Sequence, residues 1–455
     1  MHCILMKKIL IIGAGRSSSS LIRYMEKQAT IYNWRITVAD RDLSIVSNKV
    51  SGQTKAISLN ISNEEATGPE VEKADLVISM LPARFHKLVA VSCLKYGKSL
   101  LTASYETEDL KVFKEDVEKK GLLFLNEMGL DPGLDHMSAM RILNKIKDEG
   151  HELLCFESFT GGLVAPESDD NPWNYKFSWN PRNVVVAGQG GPAKFFQEGK
   201  YKYIPYNRLF KRTERIEIEG YGLFEGYANR DSVSYIDRYN LQGIPTIYRG
   251  TLRRPGFCRA WNVFVQLGAT DDSYFMEGIE NMTYREFINS FLYYHPTDSV
   301  ETKLFRYLHI DQDSDVIDKL EWLGIFDDKP IGLKKATPAQ VMEHLLKQKW
   351  QLQPDDKDMI VMWHKFIYQH KETNKPVKMT SSLAVIGEDK GHTAMSKTVG
   401  LPLGVAAKLV LTDKIKLTGM LIPTKKEIYE PILKELENFD ISFKEKIYKT
   451  TPVSW

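Results

Sequence analysis

The first part of the chain alternates short apolar runs with amphipathic stretches. Six runs have the length and continuous apolar character of buried parallel strands: 7–12, 35–39, 56–59, 75–79, 100–102 and 122–125. The stretches 18–27 and 108–119 between them have helical apolar spacing. Strands that alternate with helices in this way predict a doubly wound parallel sheet over residues 1–132.

The pattern changes after Gly133. Residues 133–282 are richer in aromatic residues, glycine and alternating patterns such as Arg215–Glu219, which predicts a mixed α/β region. Residues 283–369 have helical patterning, and Thr337–Pro338 is typical of a helix start. We therefore expect a small helical subdomain after the mixed region.

Composition favours a folded soluble enzyme over a nucleic-acid binder. The 455 residues are 43% hydrophobic and 26% charged, with a formal net charge of +2 and no basic tail or acidic run. The N-terminal apolar run 1–12 is too short for a signal peptide. No run approaches the roughly 20 residues of a membrane span, and 394–411 is interpreted as a long buried helix. We expect a cytoplasmic protein without nucleic-acid or membrane partners.

The four cysteines are spread far apart along the chain. They are Cys3, Cys93, Cys155 and Cys258. None forms a pair at the spacing of metal ligands, which is typical of a protein in a reducing compartment and predicts no structural zinc site. We expect no metal.

A glycine turn follows the first predicted strand. In the string GAGRSS, Gly13 permits a tight turn and Gly15 lets the backbone approach a pyrophosphate, whose charge would lie at a helix N-terminus. The match is weak by itself, because Ser18 replaces the third glycine and an ordinary strand-to-helix turn looks similar. The helix that follows and Asp40 at the end of the next strand strengthen it. These features predict a Rossmann dinucleotide-binding domain.

Asp40 and Arg41 favour different dinucleotides. A carboxylate would bond a ribose 2′-hydroxyl and repel a 2′-phosphate, whereas an arginine could bind that phosphate or be simply solvated. NAD is therefore slightly favoured over NADP. The string Ser79–Pro82 ends another strand at the edge where ligands usually bind, which makes Leu81 a candidate cofactor contact. His86, just beyond, is interpreted as a cap or core residue rather than a substrate contact.

Polar strings follow later strands of the predicted sheets. Thr102–Tyr105 and Asn126–His136 each follow an apolar strand, and the second is either a ligand-binding turn or a domain hinge. The stretch 161–182 suits a loop over a ligand or a structured surface loop. Asn229–Ser232 and Tyr248–Arg253 supply arginines, which bind carboxylates by paired hydrogen bonds but more often form surface ion pairs.

These strings resemble those of the saccharopine dehydrogenases of the L-glutamate-forming type. The resemblance runs over nearly the whole chain and includes DLVISMLP, TASY, NEMGLDPGLDH, GGLVAPESDDNPWNYKFSW, NRDS, RGTLR and KTVGLPLGVAAKLVL. It implies three domains: a Rossmann domain 1–132 to which the tail 414–455 returns, a mixed α/β substrate and dimerisation domain 133–282 and 370–413, and a helical subdomain 283–369.

The resemblance also implies a reaction. Saccharopine, NAD(P)+ and water would give L-glutamate and 2-aminoadipate 6-semialdehyde, reversibly, with the electrons passing to the cofactor. A dehydrogenase for another carboxylated amine, such as carboxyspermidine, and an NAD(P)-binding sensor without turnover are the alternatives. The expected partner is the small-molecule substrate. The sequence does not fix the oligomeric state, and a homodimer is one expectation.

The resemblance further implies roles for individual residues. The residues expected to contact substrate are Ser104, Tyr105, Asp131, Ser178, Arg230, Thr251, Leu252 and Arg253. Those expected to contact the dinucleotide, besides Gly13, Asp40, Arg41 and Leu81, are Ala14, Gly15, Arg16, Ser17, Ala103 and Ser104. Arg230 and Arg253 would hold carboxylates, and Asp131 or Tyr105 is the candidate general acid/base. Thr160 stands where some members carry a cysteine, so that thiol is not required here.

Overall fold

The computed structural model describes residues 6–311 and 314–448, so that Cys3 and the end of the predicted tail, 449–455, lie outside the described residues. Its strands are β1 (Lys8–Ile12), β2 (Arg35–Asp40), β3 (Lys55–Ser58), β4 (Leu76–Ser79), β5 (Ser99–Thr102), β6 (Leu123–Leu125), β7 (Glu152–Val164), β8 (Ala193–Gln197), β9 (Lys200–Ile204), β10 (Thr213–Ile218), β11 (Gly222–Ala228), β12 (Thr246–Arg253), β13 (Asp358–Gln369), β14 (Pro376–Ile386), β15 (Gly419–Leu421) and β16 (Lys444–Tyr448). Its helices are α1 (Ser19–Tyr32), α2 (Leu43–Ser47), α3 (Glu64–Lys73), α4 (His86–Tyr96), α5 (Glu108–Lys111), α6 (Lys114–Lys119), α7 (Leu134–Asp148), α8 (Pro181–Val185), α9 (Tyr235–Arg238), α10 (Phe257–Leu267), α11 (Tyr284–Asn289), α12 (Val300–Leu308), α13 (Asp315–Leu323), α14 (Pro338–Lys349), α15 (Ala394–Leu411) and α16 (Lys426–Leu436).

Seven strands form a parallel sheet in the order β15-β6-β5-β4-β1-β2-β3. Every neighbouring pair in it is parallel. The order reverses at β1, because the chain adds β2 and β3 on one side and β4 to β6 on the other. The predicted doubly wound sheet is therefore confirmed. In such sheets ligands bind at the carboxyl ends of the strands beside this reversal.

The strands of this sheet are apolar throughout because both faces are covered. Ile9 and Ile11 on one face of β1 and Leu10 and Ile12 on the other are all at most 2% exposed. Helices cover both faces, as expected for buried parallel strands. Each fully buried aliphatic side chain contributes roughly 1.5–3 kcal/mol to folding.

Helix α15 is the predicted long buried helix. It is the one described helix long and apolar enough to cross a membrane, and 72% of it is buried inside the protein. It packs on α1 closely enough that a methyl group at Gly400 would lie 2.8 Å from the backbone nitrogen of Leu21. The apolar character of α15 is therefore explained by packing in a protein core.

Nine strands form a second, mixed sheet. Its main order is β10-β11-β12-β7-β13-β14-β16, and β8 and β9 extend it from β12. The pairs β10–β11 and β11–β12 are antiparallel, whereas β12 and β7 are parallel. This confirms the predicted mixed α/β region and places Thr251, Leu252 and Arg253 at the carboxyl end of β12.

The chain divides into two compact units. Unit 1 comprises Met1–Leu153, Gln369–Lys375 and Leu383–Glu445, and unit 2 comprises Leu154–Tyr368, Pro376–Ser382 and Lys446–Trp455. Strand β15 of the tail pairs with β6 in the parallel sheet, and α16 packs on α7 within unit 1. Residues 414–445 thus belong to the first unit, whereas the last described strand, β16, pairs with β14 in the second sheet and departs from the predicted return of the whole tail.

These limits differ from the predicted domain boundaries in three further places. Helices α7 and α15, which the prediction assigned to the substrate domain, belong to unit 1, because their apolar faces are buried against α16 and α1. Strand β13 lies inside the predicted helical segment 283–369. Its continuous apolar run has no strict alternation, because nine of its twelve residues are buried in the second sheet. The helix start at Thr337 is as predicted, with a capping box to Gln340.

Candidate active site

The glycine turn joins β1 to the first turn of α1. Gly13 has φ +106°, and a side chain there would lie 2.9 Å from the carbonyl carbon of Met80. Only glycine therefore lets the turn pass the segment that follows β4. Gly15 is exposed, and a methyl group on it would meet nothing within 4 Å. The open space in front of a helix N-terminus fits a pyrophosphate.

Asp40 at the end of β2 is bonded to this turn. The backbone N–H of Ala14 donates to Asp40 Oδ2 at 2.8 Å, and that of Asp42 donates to Oδ1 at 3.2 Å. Arg41 is exposed to solvent. The carboxylate thus lies where a ribose hydroxyl would be recognised in this fold.

Lys49 is a residue of this region that the sequence reasoning missed. Its ammonium donates to the carbonyl oxygen of Gly15 at 2.5 Å and lies 3.4 Å from Ser18 Oγ. Burial lowers the pKa of Lys49, and the nearby carboxylate of Asp40 opposes that shift. Lys49 lies on the segment after α2, more than thirty residues beyond the turn, and no spacing rule links the two.

The strings after β5 and β6 come together because these strands are neighbours in the parallel sheet. Met128 N donates to Thr102 O at 3.0 Å, which ties the two segments beyond the strand ends. The hydroxyl of Tyr105 donates to Asp131 Oδ1 at 3.2 Å. Tyr105 is 42% exposed, so this hydrogen-bonded pair is open to solvent and to a ligand.

The turn that carries Asp131 is closed on itself. Gly129 N donates to Pro132 O at 3.0 Å, and Leu134 N donates to Gly129 O at 2.9 Å. Gly133 has φ +143°, and a side chain there would collide with Gly129. The turn and the following helix α7 both lie within unit 1.

His86 at the start of α4 is a core residue in the structure. Its Nδ1 lies 2.9 Å from Ser79 Oγ, and the ring is fully buried. Burial lowers its pKa to about 4, so the ring is uncharged at neutral pH. Its Nε2 is buried without a hydrogen-bond partner.

In unit 2, Arg253 at the end of β12 is a buried cation. It is 4% exposed, and the carboxylate of Glu225, its register partner on β11, acts on it electrostatically. One guanidinium N–H donates to Leu252 O at 2.8 Å, and the rings of Tyr175, Tyr227 and Phe257 surround its Cζ at 5.1–5.7 Å. Its Nε is buried and unpartnered.

Among the other predicted contacts in unit 2, Thr251 lies on the same strand as Arg253. Thr251 Oγ1 donates to Asn229 Oδ1 at 2.8 Å, and Thr251 pairs in register with Thr160 of β7. The hydroxyls of Ser178 and Thr160 are both buried without a hydrogen-bond partner. Unpartnered buried hydroxyls are uncommon in proteins and indicate a place for a polar ligand or water.

Arg230 differs from Arg253. It is exposed, and its guanidinium donates to Gln189 O at 3.3 Å. Asn229 N bonds to Arg249 O, so Arg230 lies beside the middle of β12. Four residues at about 3.3 Å each put Arg253 roughly 13 Å further along that strand. The backbone positions of the two arginines are therefore well separated along this strand.

Two family models match consecutive parts of the chain. Residues 9–125 match the saccharopine dehydrogenase NADP binding domain, and residues 129–441 match the saccharopine dehydrogenase C-terminal domain. The chain belongs to the saccharopine dehydrogenase family. The resemblance of the sequence strings is thus confirmed, and the two matches meet at the turn that carries Asp131.

Curated members of the family are similar over nearly the whole chain. The mitochondrial alpha-aminoadipic semialdehyde synthase of Rattus norvegicus is 34% identical over 96% of this chain, which spans only 47% of the rat protein. The chain spans about half the length of such relatives. The saccharopine dehydrogenase [NADP(+), L-glutamate-forming] of Schizosaccharomyces pombe is 31% identical over 97% of this chain and 99% of its own length.

A solved structure of this family has the same fold. The apo saccharopine dehydrogenase (L-Glu forming) of Saccharomyces cerevisiae superposes with a TM-score of 0.89, at 30% identity over 97% of this chain and 100% of the yeast chain. The homospermidine synthase of Legionella pneumophila, at 11% identity and a TM-score of 0.55, shares the fold alone.

The family match bears on the cofactor. The matched N-terminal model is an NADP-binding domain, and the Schizosaccharomyces pombe relative is named for NADP(+). A nicotinamide dinucleotide is therefore confirmed as the class of cofactor, whereas the slight preference for NAD is not confirmed.

Metal-binding and thiol chemistry have little support in the part of the chain that the structure describes. No group of three or more His, Cys, Asp or Glu side chains there could hold a metal ion. Cys93, Cys155 and Cys258 are free and buried, and burial raises the pKa of each thiol. These thiols are therefore protonated and unreactive at neutral pH.

Proposed function

We propose that the chain is a saccharopine dehydrogenase of the L-glutamate-forming type. It would oxidise saccharopine with NAD+ or NADP+ and water to L-glutamate and 2-aminoadipate 6-semialdehyde, and the reaction would be reversible. The observation that carries this proposal is the end-to-end match to the Schizosaccharomyces pombe enzyme of that name, over 97% of this chain and 99% of the relative.

Unit 1 would hold the dinucleotide. The residues proposed to contact it are Gly13, Ala14, Gly15, Arg16, Ser17, Asp40, Arg41, Leu81, Ala103 and Ser104, and we add Lys49. The open Gly15 and the N-terminus of α1 suit the pyrophosphate, while the carboxylate of Asp40 favours an unphosphorylated ribose and hence NAD. When bound, the dinucleotide supplies the acceptor for the hydride.

Unit 2 would bind carboxylates of the substrate. Saccharopine carries three carboxylates and a secondary amine, and Arg253 is a buried cation whose Nε has no hydrogen-bond partner. A bound carboxylate would supply that missing partner by a charge-assisted hydrogen bond. Ser178, Arg230, Thr251 and Leu252 are the other proposed substrate contacts, and the spacing of the two arginines suits a substrate whose carboxylates are far apart.

Asp131 and Tyr105 would manage the protons. Oxidation breaks the C–H bond next to the secondary amine, water adds to the resulting imine, and the C–N bond then breaks to release glutamate. The amine and the water together give up protons during these steps. Asp131 can accept one as a general base, and Tyr105, hydrogen-bonded to it at 3.2 Å, can stabilise the carboxylate or relay a proton.

Two finer predictions stay open to test. A homodimer is expected, and sedimentation of the purified protein measures it. A cytoplasmic location is also expected, although the rat relative is named mitochondrial, and microscopy of the tagged protein in its host tests it.

The proposed reaction is tested by adding saccharopine to the purified chain with NAD+ or NADP+ and following the near-ultraviolet absorbance of the reduced cofactor. Saccharopine-dependent reduction supports the proposal. Reduction with carboxyspermidine but not with saccharopine would transfer the activity to another amine. Dinucleotide binding without any turnover would indicate a sensor instead.

A further inference from the structure

A buried carboxylate is bonded to the backbone on either side of Tyr105, next to the Tyr105–Asp131 pair. Glu127 follows β6 and is fully buried, in a left-handed backbone conformation with φ 58°. Such a conformation is uncommon for a residue other than glycine, and it persists where the surroundings hold it. The reaction as proposed above makes no use of Glu127.

Glu127 binds both sides of Tyr105. Its backbone N–H donates to Ser104 O at 3.1 Å, and its Oε1 accepts the backbone N–H of Glu106 at 2.9 Å. The residue before Tyr105 and the residue after it are thus both bonded to one side chain and its backbone. These contacts fix where the Tyr105 segment leaves the sheet.

His136 holds the other oxygen of Glu127. The distance from His136 Nε2 to Glu127 Oε2 is 2.7 Å, and both side chains are fully buried. His136 belongs to α7, which starts directly after the turn that carries Asp131. One carboxylate therefore connects the Tyr105 segment to the helix that anchors the Asp131 turn. Hydrogen bonds to a carboxylate are stronger than those between neutral groups, especially away from water.

We propose that Glu127, held by His136, is a positioning residue that keeps the Tyr105 hydroxyl on Asp131. It acts through the backbone of Ser104 and Glu106 and does not touch the reacting atoms. This proposal rests on the proposed function for its kinetic consequence, while the structural link itself can be tested without turnover.

The kinetic test compares Glu127→Ala and Glu127→Gln in the wild-type and Tyr105→Phe backgrounds. Misplacing a catalytic group by about 1 Å can cost on the order of 100-fold in rate, so Glu127→Ala should lower kcat about 10- to 100-fold with little change in the KM for the dinucleotide. Glutamine keeps an acceptor for the Glu106 N–H, so Glu127→Gln should retain kcat within about 5-fold.

The Tyr105→Phe background separates positioning from general damage. If Glu127 acts through Tyr105, adding Glu127→Ala to Tyr105→Phe should cost less than about 3-fold in kcat, because the two residues act as a unit. The matched control is Glu435→Ala, which removes a carboxylate bonded to Tyr24 and Lys408 elsewhere in unit 1. It should lower stability without lowering kcat. The proposal would be overturned if the losses in kcat from Glu127→Ala and Tyr105→Phe were fully additive in the double variant, or if Glu127→Ala kept the wild-type kcat.

Hydrogen exchange tests the link whether or not the chain turns over saccharopine. The Glu106 amide should exchange at least about 10-fold faster in Glu127→Ala than in the wild type, and Glu435→Ala should leave it unchanged. Unchanged exchange at Glu106 would overturn the link. Absence of saccharopine turnover in the wild-type chain would instead overturn the proposed function. The exchange rate of the Glu106 amide would still test the structural link.

Discussion

The predicted site residues of unit 2 include buried polar groups without hydrogen-bond partners beside the paired Thr251 and Arg230, whereas none of the predicted site residues of unit 1 has such a group. In unit 1, Asp131 accepts from Tyr105, and Asp40 accepts from the Ala14 amide. In unit 2, Arg253 Nε and the Ser178 hydroxyl are buried without a hydrogen-bond partner. Buried polar groups are nearly always paired in native proteins, so the second pattern is the exceptional one.

This difference separates preorganisation from ligand binding. General acids and bases must be oriented before the substrate binds, and their mutual hydrogen bonds provide that orientation. Groups that bind a charged ligand gain most when the ligand supplies their missing partner. The proposed function accounts for this difference if unit 1 is organised for the chemical step and unit 2 binds carboxylates.

Asp131→Asn should have the largest effect, because it removes the proposed general base from the Tyr105–Asp131 pair of unit 1. Asparagine keeps an acceptor for Tyr105 but cannot take a proton, so kcat should fall about 10²- to 10⁴-fold. The KM for the dinucleotide should change little. Steady-state kinetics measure both, and a kcat within 3-fold of the wild type would remove Asp131 from the proton steps.

Arg253→Met tests the buried arginine of unit 2. Methionine fills the aromatic surroundings but offers no charge, so kcat/KM for saccharopine should fall about 10²- to 10³-fold. Without substrate the stability of the variant should change little, because methionine fills the same aromatic surroundings. Arg254→Met is the matched control and should keep kcat/KM. A large loss of stability in Arg253→Met would show instead that the arginine serves the fold.

His86 provides a titratable exception in unit 1, a buried group with one unpartnered nitrogen. Its pKa in the folded chain, about 4, is below the ordinary 6.5, so its contribution to stability is present above pH 6.5 and is lost as the pH falls towards 4. The loss is on the order of 3 kcal/mol. Urea unfolding at several pH values should show that the free energy of unfolding depends less steeply on pH in His86→Asn than in the wild type. The same pH dependence in both proteins would contradict this assignment.

Asp40→Ser should have the smallest effect, on the choice of cofactor. Removing a carboxylate beside the ribose position should raise the preference for NADP+ over NAD+ about 10-fold. Asp42→Ser, which removes a neighbouring carboxylate while keeping a helix-capping side chain, is the control and should leave the ratio unchanged. Fluorescence titration with both nucleotides measures the two affinities. An unchanged ratio in Asp40→Ser would mean that Lys49 or Arg41 sets the choice.

Much of unit 1 could be predicted from the sequence because its signals are local. A glycine turn after an apolar strand, an acid at the end of the next strand and polar strings after two more are each visible in a few residues. In a parallel sheet the carboxyl ends of the strands share one edge, which is why the polar strings after β5 and β6 meet in the structure.

The remaining features depend on contacts between distant parts of the chain. Lys49 contacts Gly15 from the segment after α2. Glu127 belongs to the string Asn126–His136, but nothing in the sequence assigned it a role. The burial of Arg253 requires the rings of Tyr175 and Phe257, which come from separate segments. The assignment of α15 to unit 1 depends on its packing against α1, and an apolar helix does not indicate by itself which surface it covers.

The most direct measurement is the identity of the products formed from saccharopine. Mass spectrometry of the reaction with the wild-type chain should find L-glutamate and 2-aminoadipate 6-semialdehyde in equal amounts, matching the reduced dinucleotide formed. Lysine and 2-oxoglutarate in their place, or no consumption of saccharopine with either dinucleotide, would contradict the account.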